Sequence, residues 1–215
     1  MIRSILSYIL PLLSAASIVN AAAAGETTSS PPFEVQLSGH SLVSALRTGG
    51  YVIYFRHTAT DRSQTDQDRA DFANCSTQRN LSTEGRQQAA AIGLAFKSLA
   101  IRVNKVVTSP YCRARDTGQL AFGQVVNDEN LSFSIGADSA DTERRASALR
   151  RMLSEQPAAG RNTVIVAHTS NLKEATGIWP NEEGTAVIFR PKGDSHFEPV
   201  ALVKMDEWAT ILASR

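Results

Sequence analysis

The stretch YVIYFRHT, residues 51–58, places an arginine–histidine pair directly behind a continuous apolar run. Short apolar runs rich in β-branched and aromatic residues are typical of strands that are covered on both faces of a parallel sheet. Two later stretches repeat the arrangement, VVTSPYCR at residues 106–113 and TVIVAHT at residues 163–169. Because the carboxyl ends of parallel strands open onto one crevice, the polar residues behind the three runs are expected to share a site.

Segments with helical spacing alternate with these runs, which is the pattern of an α/β fold. The helical positions fall into four groups: Leu42, Val43 and Leu46; Ile92, Phe96 and Leu99 behind the N-cap candidate Ser82; a segment after Pro110; and Ala146, Leu149 and Leu153. Residues 131–135 form a weak strand candidate, and residues 186–190 and 199–203, with no helix between them, indicate a hairpin. The alternation predicts a three-layer α/β/α sandwich with a mostly parallel central sheet.

The first 24 residues differ in composition from the rest of the chain. Arg3 is their single charge, residues 5–19 are largely apolar, and residues 21–24 are all alanine. This pattern predicts a cleaved signal peptide at residues 1–24, and therefore a periplasmic or secreted protein that is not attached to the membrane after cleavage. An uncleaved membrane anchor is the alternative.

The remainder of the chain is expected to hold one domain, residues 38–215, behind a flexible lead-in at residues 25–37. The full chain has a formal net charge of +1, so no bulk attraction to nucleic acid is expected. Cys75 and Cys112 are the two cysteines of the sequence. In an exported protein they are expected to form a disulfide, and two buried thiols are the alternative.

Two arginines and two histidines make up the predicted site: Arg56, His57, Arg113 and His168. A guanidinium offers a planar fork of donors that matches phosphate oxygens and stays charged at ordinary pH. An imidazole can act as a nucleophile when neutral and as a donor when protonated. The set therefore predicts a phosphoryl-transfer site that needs no metal or other cofactor. A metallo-hydrolase with both histidines as ligands is the alternative, and it would require carboxylate or thiolate ligands nearby.

These residues resemble those of a known family. The pair Arg56-His57 behind an apolar strand, the segment SPYCRARDT at residues 109–117 and the late His168 are similar, in this order, to the motifs of the histidine phosphatase superfamily, which includes the phosphoglycerate mutases. Within the superfamily, CSTQRNLS at residues 75–82 resembles a branch of exported bacterial members. The resemblance implies a phosphoglycerate mutase-like fold and a phosphatase that hydrolyses phosphate monoesters, with a small phosphorylated substrate or inorganic phosphate as its ligand.

The resemblance also implies a role for each matched residue. His57 becomes the phosphohistidine, Arg56 and Arg113 bind the phosphoryl oxygens, and His168 stabilises the transferring group. Arg115 is expected to be a charge on the helix surface. Three further residues are expected to bind the substrate: Arg79, Thr58 and Asn171.

The sequence departs from the family pattern around the site. Thr58 stands where many members have glycine, and Thr169 follows His168 where the acid phosphatases have an acidic residue. The run EGTA at residues 183–186 replaces the Glu-Gly-Glu-Ala of a related branch. A catalytically silent protein that binds a phosphorylated ligand is therefore an alternative function. A phosphomutase is a less favoured one, because its substrates are cytoplasmic.

The leaving alcohol needs a proton, and the usual donor is not evident in this sequence. Glu183 is the first candidate, with Asp61 and Glu143 behind it. Residues 59–80 and 124–145 have the least regular pattern, so they are expected to overhang the site and to determine which substrate is bound.

Overall fold

The computed structural model describes residues 33–67 and 71–213. The predicted signal peptide at residues 1–24, and residues 25–32 of the predicted lead-in, lie outside the described residues. The helices of the described part are α1 (Gly39–Thr48), α2 (Thr83–Ser98), α3 (Cys112–Phe122), α4 (Ser139–Ser154), α5 (Thr169–Thr176) and α6 (Glu207–Ala213). Its strands are β1 (Val52–Arg56), β2 (Val103–Thr108), β3 (Val126–Asn127), β4 (Asn162–Ala167), β5 (Ala186–Gly193) and β6 (His196–Val203). None of these helices is long and apolar enough to cross a membrane.

The strands form one mixed sheet in the order β3-β2-β4-β1-β5-β6. β1 runs parallel to β4, β4 runs parallel to β2, and β2 runs parallel to β3. β5 is antiparallel to β1 and forms a hairpin with β6. The mostly parallel sheet and the hairpin confirm the sequence prediction. The three strands whose ends carry the predicted site, β1, β4 and β2, are direct neighbours.

Apolar side chains cover both faces of the sheet, which explains why its central strands are apolar throughout. Ile53 and Phe55 of β1 belong to a core shared with α1, α2, α3 and α6, whereas Val52 and Tyr54 belong to a core shared with α4 and α5. All four side chains are buried, and full burial of a valine, isoleucine or phenylalanine contributes about 1.5–3 kcal/mol. Helices on both faces confirm the three-layer sandwich.

Helix α2 fixes the segment that follows β1. Ser82 Oγ accepts from Gly85 N at 3.0 Å, so Ser82 is the N-cap that the sequence predicts. Ala59 lies against the same helix, since its carbonyl accepts from Ser82 N at 3.0 Å and its N–H donates to Gln88 Oε1 at 3.0 Å. A Cβ atom on Gly85 would lie 1.8 Å from Ala59 O, so only glycine permits this approach. The backbone two residues beyond His57 is thereby held against the helix.

The prediction of a strand at residues 131–135 is wrong. A short 3-10 turn, Glu129–Leu131, begins this region behind the N-cap Asp128, and the edge strand β3 comes earlier in the chain. The carbonyl of Ser132 accepts from Arg145 Nη1 at 3.1 Å. A side chain of α4 thus provides a hydrogen bond that a neighbouring strand would have provided. Alternation of apolar and polar residues alone does not distinguish these two cases.

Candidate active site

His57 follows β1, and both its backbone and its ring are held in place. Its N–H donates to Ala167 O at 3.0 Å, and its carbonyl accepts from Gly184 N at 2.9 Å. The residue is 2% exposed, and its Nδ1 lies 3.0 Å from Thr58 O. Because a carbonyl oxygen can only accept, Nδ1 carries the hydrogen of the neutral ring and Nε2 keeps its lone pair. His57 therefore presents the unprotonated nitrogen that a nucleophile requires.

His168 occupies the N-cap position of α5, with its ring centroid 5.4 Å from that of His57. Its Nε2 is 2.9 Å from Ser109 Oγ, which accepts from Tyr111 N at 3.3 Å. We assign the Ser109 hydroxyl as the donor to the ring. The hydrogen of neutral His168 is then on Nδ1, a buried atom without a hydrogen-bond partner among the described residues. Tyr54 Oη fixes the backbone here by donating to the His168 carbonyl at 2.7 Å.

Arg113 is 1% exposed although its side chain is charged. Its Nη1 donates to Asp66 Oδ1 at 2.9 Å and to Arg79 O at 3.3 Å. Its guanidinium carbon lies 4.6 Å from the ring centroid of Tyr111 and 5.7 Å from that of Phe133, which adds cation–π contacts. These contacts on several sides fix the position of the guanidinium.

Arg56 ends β1, and its Nη1 donates to the backbone carbonyls of Pro180 and Asn181. The Nε atoms of Arg56 and Arg113 are both buried and have no hydrogen-bond partner within residues 33–67 and 71–213. Buried donors in proteins are nearly always hydrogen-bonded. These two atoms and Nδ1 of His168 are therefore available to bind oxygen atoms of a ligand.

Burial changes the ionisation of the site. It lowers the pKa of His57 well below the usual value, and the charge of Arg113 lowers this pKa further. The pKa of His168 is lowered well below its usual value by the same two causes in the same order. Burial also lowers the pKa of Arg56 and of Arg113, but a guanidinium stays charged at ordinary pH. Two neutral imidazoles beside two cations favour an anionic ligand.

Arg79, a predicted substrate-binding residue, lies beside Arg113. Its carbonyl accepts from the Arg113 guanidinium, and its own N–H donates to Asp66 Oδ1 at 2.9 Å. Its positive charge is a further cause of the lowered pKa of both His57 and His168. The backbone of Arg79 is thus held beside Arg113, and substrate binding by its guanidinium stays a prediction.

A disulfide joins Cys75 to Cys112, as the sequence predicts, with an S–S distance of 2.05 Å. The two residues are 37 positions apart, for which the chain-entropy treatment gives a stabilisation of about 4 kcal/mol. Arg115 was expected to be a surface charge, but its Nη2 lies 3.0 Å from Cys75 Sγ and 3.4 Å from Cys112 Sγ, and its side chain is only partly exposed. Gln78 Oε1 accepts from Cys112 N at 2.9 Å. These contacts fasten the long loop before α2 to the start of α3, next to Arg113.

Thr58 and Asn171, the other two predicted substrate-binding residues, are buried. The N and Oγ1 atoms of Thr58 lie 3.2 and 3.1 Å from Thr117 Oγ1, so this threonine is bonded to α3. Asn171 Nδ2 donates to Ser132 O at 2.9 Å, whereas its Oδ1 is buried and unpartnered in the described part of the chain. Substrate binding by either residue stays a prediction.

Glu183, the first candidate for the proton donor, contacts both members of the arginine–histidine pair. Its Oε1 is 3.6 Å from Arg56 Nη2 and 4.0 Å from His57 Nδ1. Oε1 also accepts from Thr60 Oγ1 at 2.7 Å, and Oε2 accepts from Thr60 N at 3.1 Å. The carboxylate therefore lies at the Nδ1 edge of the His57 ring, and donors approach both of its oxygens.

The two further candidates for the proton donor are engaged elsewhere. Asp61 accepts hydrogen bonds from Ser63 and Gln64 in its own loop. Glu143 is exposed on α4, where it pairs with Arg150.

Sequence reasoning did not single out three residues that contact the predicted site: Asp66 bonds to Arg113, Ser109 to His168, and Thr60 to the proton-donor candidate Glu183. Ser109 directly follows β2 in the quoted segment SPYCR, so its place at a strand end was a usable signal. Thr60 and Asp66 lie in the irregular segment at residues 59–80, where no pattern distinguishes them from their neighbours.

The described residues contain no group of three or more histidine, cysteine, aspartate or glutamate side chains that could hold a metal ion. The neighbours of the two site histidines include cationic arginines, whose charge opposes that of a metal. The donor set therefore fits an anion better than it fits a divalent cation.

Comparison with known families adds an independent observation. The family model described as "Histidine phosphatase superfamily (branch 1)" matches residues 52–132, a segment that contains Arg56, His57 and Arg113. The match supports a relationship between this chain and the histidine phosphatase superfamily. Its first residue is also the first residue of β1, and it ends at residue 132, before α4 and the hairpin. A search of curated protein sequences gave no match.

Three solved structures of other proteins share the fold. The protein histidine phosphatase SixA, complexed with tungstate, is 12% identical, with a TM-score of 0.52 over 73% of this chain and 98% of that one. Phosphoserine phosphatase from Entamoeba histolytica, in complex with 3-phosphoglyceric acid, is 16% identical, with a TM-score of 0.52 over 72% and 96%. YhfR from Bacillus stearothermophilus is 17% identical, with a TM-score of 0.51 over 70% and 95%. At these identities the likeness shows the fold, which is the predicted phosphoglycerate mutase-like α/β fold.

Proposed function

We propose that this protein is a phosphatase that hydrolyses phosphate monoesters through a phosphohistidine on His57. One observation carries the proposal: His57 is a buried, neutral imidazole whose Nδ1 hydrogen is directed to Thr58 O, so that Nε2 is unprotonated. The unpartnered donors of Arg56, Arg113 and His168 supply what a phosphoryl group beside that nitrogen would bind. The match to the histidine phosphatase superfamily supports the same assignment.

The reaction proceeds in two displacements at phosphorus. In the first, Nε2 of His57 attacks in line, the N–P bond forms, and the P–O bond to the alcohol breaks. Arg56, Arg113 and the Nδ1–H of His168 bind the three equatorial oxygens. In the second, water attacks the phosphohistidine, the N–P bond breaks, and inorganic phosphate leaves. Phosphoryl transfer depends mainly on positioning and electrostatic stabilisation, which a rigid set of buried donors provides.

The protein is expected to hydrolyse p-nitrophenyl phosphate at an undiminished rate in the presence of a metal chelator, because no step in this route uses a metal. The measurement compares kcat with and without chelator, and a metal-dependent phosphatase serves as the positive control. Loss of turnover on chelation would favour a metallo-hydrolase. Binding of inorganic phosphate without turnover of any monoester would favour the competing function, a silent phosphate-ligand binding protein.

His57 is expected to remain neutral in mildly acidic solution. Burial lowers the pKa of His57, and the charge of Arg113 lowers it further. A histidine with a lowered pKa takes up a proton only at a correspondingly lower pH. In nitrogen NMR of the imidazole, the Nδ1–H form should persist as the pH falls through about 6.5, where a free imidazole is half protonated. Below that pH the unfolded chain binds the proton and the folded chain does not, so the free energy of unfolding should decrease.

The His57 resonances can be assigned by their disappearance in His57→Ala. Protonation of this ring at or above a pH of about 6.5 would contradict the proposed state of the nucleophile.

A small phosphorylated molecule is the proposed substrate. Phosphoserine phosphatase from Entamoeba histolytica, which shares the fold, is in complex with 3-phosphoglyceric acid. In this protein the loop at residues 59–80 carries Asp66 and Arg79, which contact or adjoin Arg113. Substrate selectivity is therefore proposed to depend on this loop, and a panel of phosphorylated compounds tests which molecule it accepts.

We also propose that the protein is exported and acts in the periplasm or outside the cell. The proposal rests on the composition of residues 1–24 and on the disulfide between Cys75 and Cys112, since such bonds persist in oxidising compartments. Sequencing of the amino terminus of the protein from its native host tests it. A mature chain that still begins at Met1 in the cytoplasm would contradict it.

A further inference from the structure

We propose that Asp66 is the proton donor to the leaving alcohol, and that the same carboxylate later accepts a proton from the attacking water. The inference rests on the proposed function and assigns a role that this function leaves open. It takes the role away from Glu183, the residue that the sequence favours.

Two carboxylates lie within 4.0 Å of the four predicted catalytic side chains, when the residues described in the structure are considered. Glu183 contacts Arg56 and His57, and Asp66 contacts Arg113. A proton donor must lie within reach of the ester oxygen, so these two are the carboxylates to compare.

The position of Glu183 is unsuitable for a proton donor. It approaches His57 at Nδ1, whereas the attacking atom is Nε2, and the leaving oxygen lies opposite that atom in an in-line displacement. Both of its oxygens accept hydrogen bonds from Thr60, and Arg56 lies beside it. These contacts suit a group that orients the arginine–histidine pair.

Asp66 lies at Arg113, the predicted phosphoryl-binding residue that Glu183 does not contact. Its Oδ1 accepts from Arg113 Nη1 at 2.9 Å and from Arg79 N at 2.9 Å. Its side chain is 11% exposed, so it is shielded but open to solvent on one side, as a group that meets both the ester and incoming water has to be. It belongs to the loop that the Cys75–Cys112 disulfide fastens beside Arg113, and so it is held at the site.

Substrate binding itself gives Asp66 a proton to donate. A phosphoryl group bound to Arg113 puts its negative charge beside a carboxylate that is already on the same guanidinium. The repulsion between two such anions, here the phosphoryl group and the Asp66 carboxylate, is reduced when one proton lies between them, as it does between paired carboxylates. The proton that a phosphate monoester carries in its monoanionic form is thus retained between the two anions.

Asp66 gives up a proton in the first displacement and regains one in the second. As His57 Nε2 bonds to phosphorus, the P–O bond breaks and its electron pair goes to the ester oxygen. That oxygen takes the proton from Asp66, and a neutral alcohol leaves. Water then attacks the phosphohistidine, and Asp66 accepts one of its protons. The electron pair of the N–P bond returns to Nε2, and inorganic phosphate is released.

The test compares two substrates that differ in their need for a proton. Nitrophenolate leaves without protonation, whereas the alkoxide of an alkyl phosphate such as glycerophosphate does not. Asp66→Asn keeps an oxygen for Arg113 and Arg79 but has no transferable proton. The comparison uses kcat/KM, which reports the steps up to release of the alcohol and leaves out the hydrolysis step that both substrates share. We expect kcat/KM for glycerophosphate to fall about 10²–10⁴-fold, and kcat/KM for p-nitrophenyl phosphate to fall less than about tenfold.

The matched control is Asp194→Asn, an exposed aspartate in the turn of the β5–β6 hairpin with φ of 49°, a conformation that asparagine tolerates. It should leave kcat/KM for both substrates unchanged. Glu183→Gln, measured in parallel, should lower kcat/KM for the two substrates by similar factors. A loss confined to glycerophosphate in Glu183→Gln, and not in Asp66→Asn, would overturn the inference.

Two other results for Asp66→Asn would also overturn it. Equal losses of kcat/KM on both substrates would show that Asp66 only positions Arg113, and equal gains would show that it only competes with phosphate for Arg113. If Asp66→Asn does not fold, Asp66→Ala is measured on the same two substrates and is expected to show the same selective loss with glycerophosphate. An unmodified protein that hydrolyses neither substrate overturns the proposed function, and with it this inference.

Discussion

Replacement of His57 by alanine is expected to lower kcat for p-nitrophenyl phosphate by at least about 10⁴-fold, because no other group in the site can form the covalent intermediate. The ring is buried beside His168, and its Nδ1 hydrogen is already bound by Thr58 O. Alanine removes the proposed nucleophile and leaves the donors of both arginines in place. The change should therefore abolish turnover and spare binding of inorganic phosphate.

The measurement combines turnover with circular dichroism and thermal unfolding, so that loss of activity is separated from loss of structure. His196→Ala is the matched control, since this histidine is exposed at the start of β6, and it should retain full activity. Turnover by folded His57→Ala within about tenfold of the unmodified rate would show that His57 is not the nucleophile.

Replacement of Arg113 by lysine is expected to lower kcat/KM about 10³-fold even though the positive charge is kept. An ammonium lacks the planar fork, so it cannot hold Asp66 through one nitrogen and present Nε to the phosphoryl group. It also loses the stacking of the guanidinium on Tyr111. Lysine therefore tests the geometry of the group rather than its charge.

Arg86→Lys is the control for this change, because Arg86 is half exposed and pairs with Asp116 away from the site. It should change kcat/KM less than about twofold, as is usual for exposed ion pairs. Binding of inorganic phosphate should weaken in Arg113→Lys in parallel with kcat/KM. If Arg113→Lys keeps both properties within about threefold, Arg113 does not bind the phosphoryl group.

Much of the fold follows from local patterns in the sequence. The apolar runs of β1, β2 and β4 and the spacing of Ile92 and Phe96 on α2 are signals carried by neighbouring residues, and the structure confirms them. β3 is two residues long, and α5 and α6 have eight and seven residues, which is too few to show a period. Their positions depend on tertiary contacts that no local pattern records.

The residues of the candidate site also differ in whether a local pattern in the sequence reveals them. Arg56, His57, Arg113 and His168 were found because parallel strand order brings the ends of β1, β2 and β4 together. Asp66 reaches Arg113 through a loop whose path is determined by the disulfide to α3 and by contacts with Arg79, which are long-range constraints. The sequence could therefore name the groups that bind phosphate but not the carboxylate beside them.

The covalent bond between phosphorus and Nε2 of His57 distinguishes the proposed route from direct attack by water. Rapid-quench mixing of the protein with a radiolabelled phosphate monoester detects this bond. We expect a burst of acid-labile, base-stable label on the peptide that contains His57, and no label in His57→Ala. Steady turnover without any labelled protein, or label on a different residue, would contradict the proposed route.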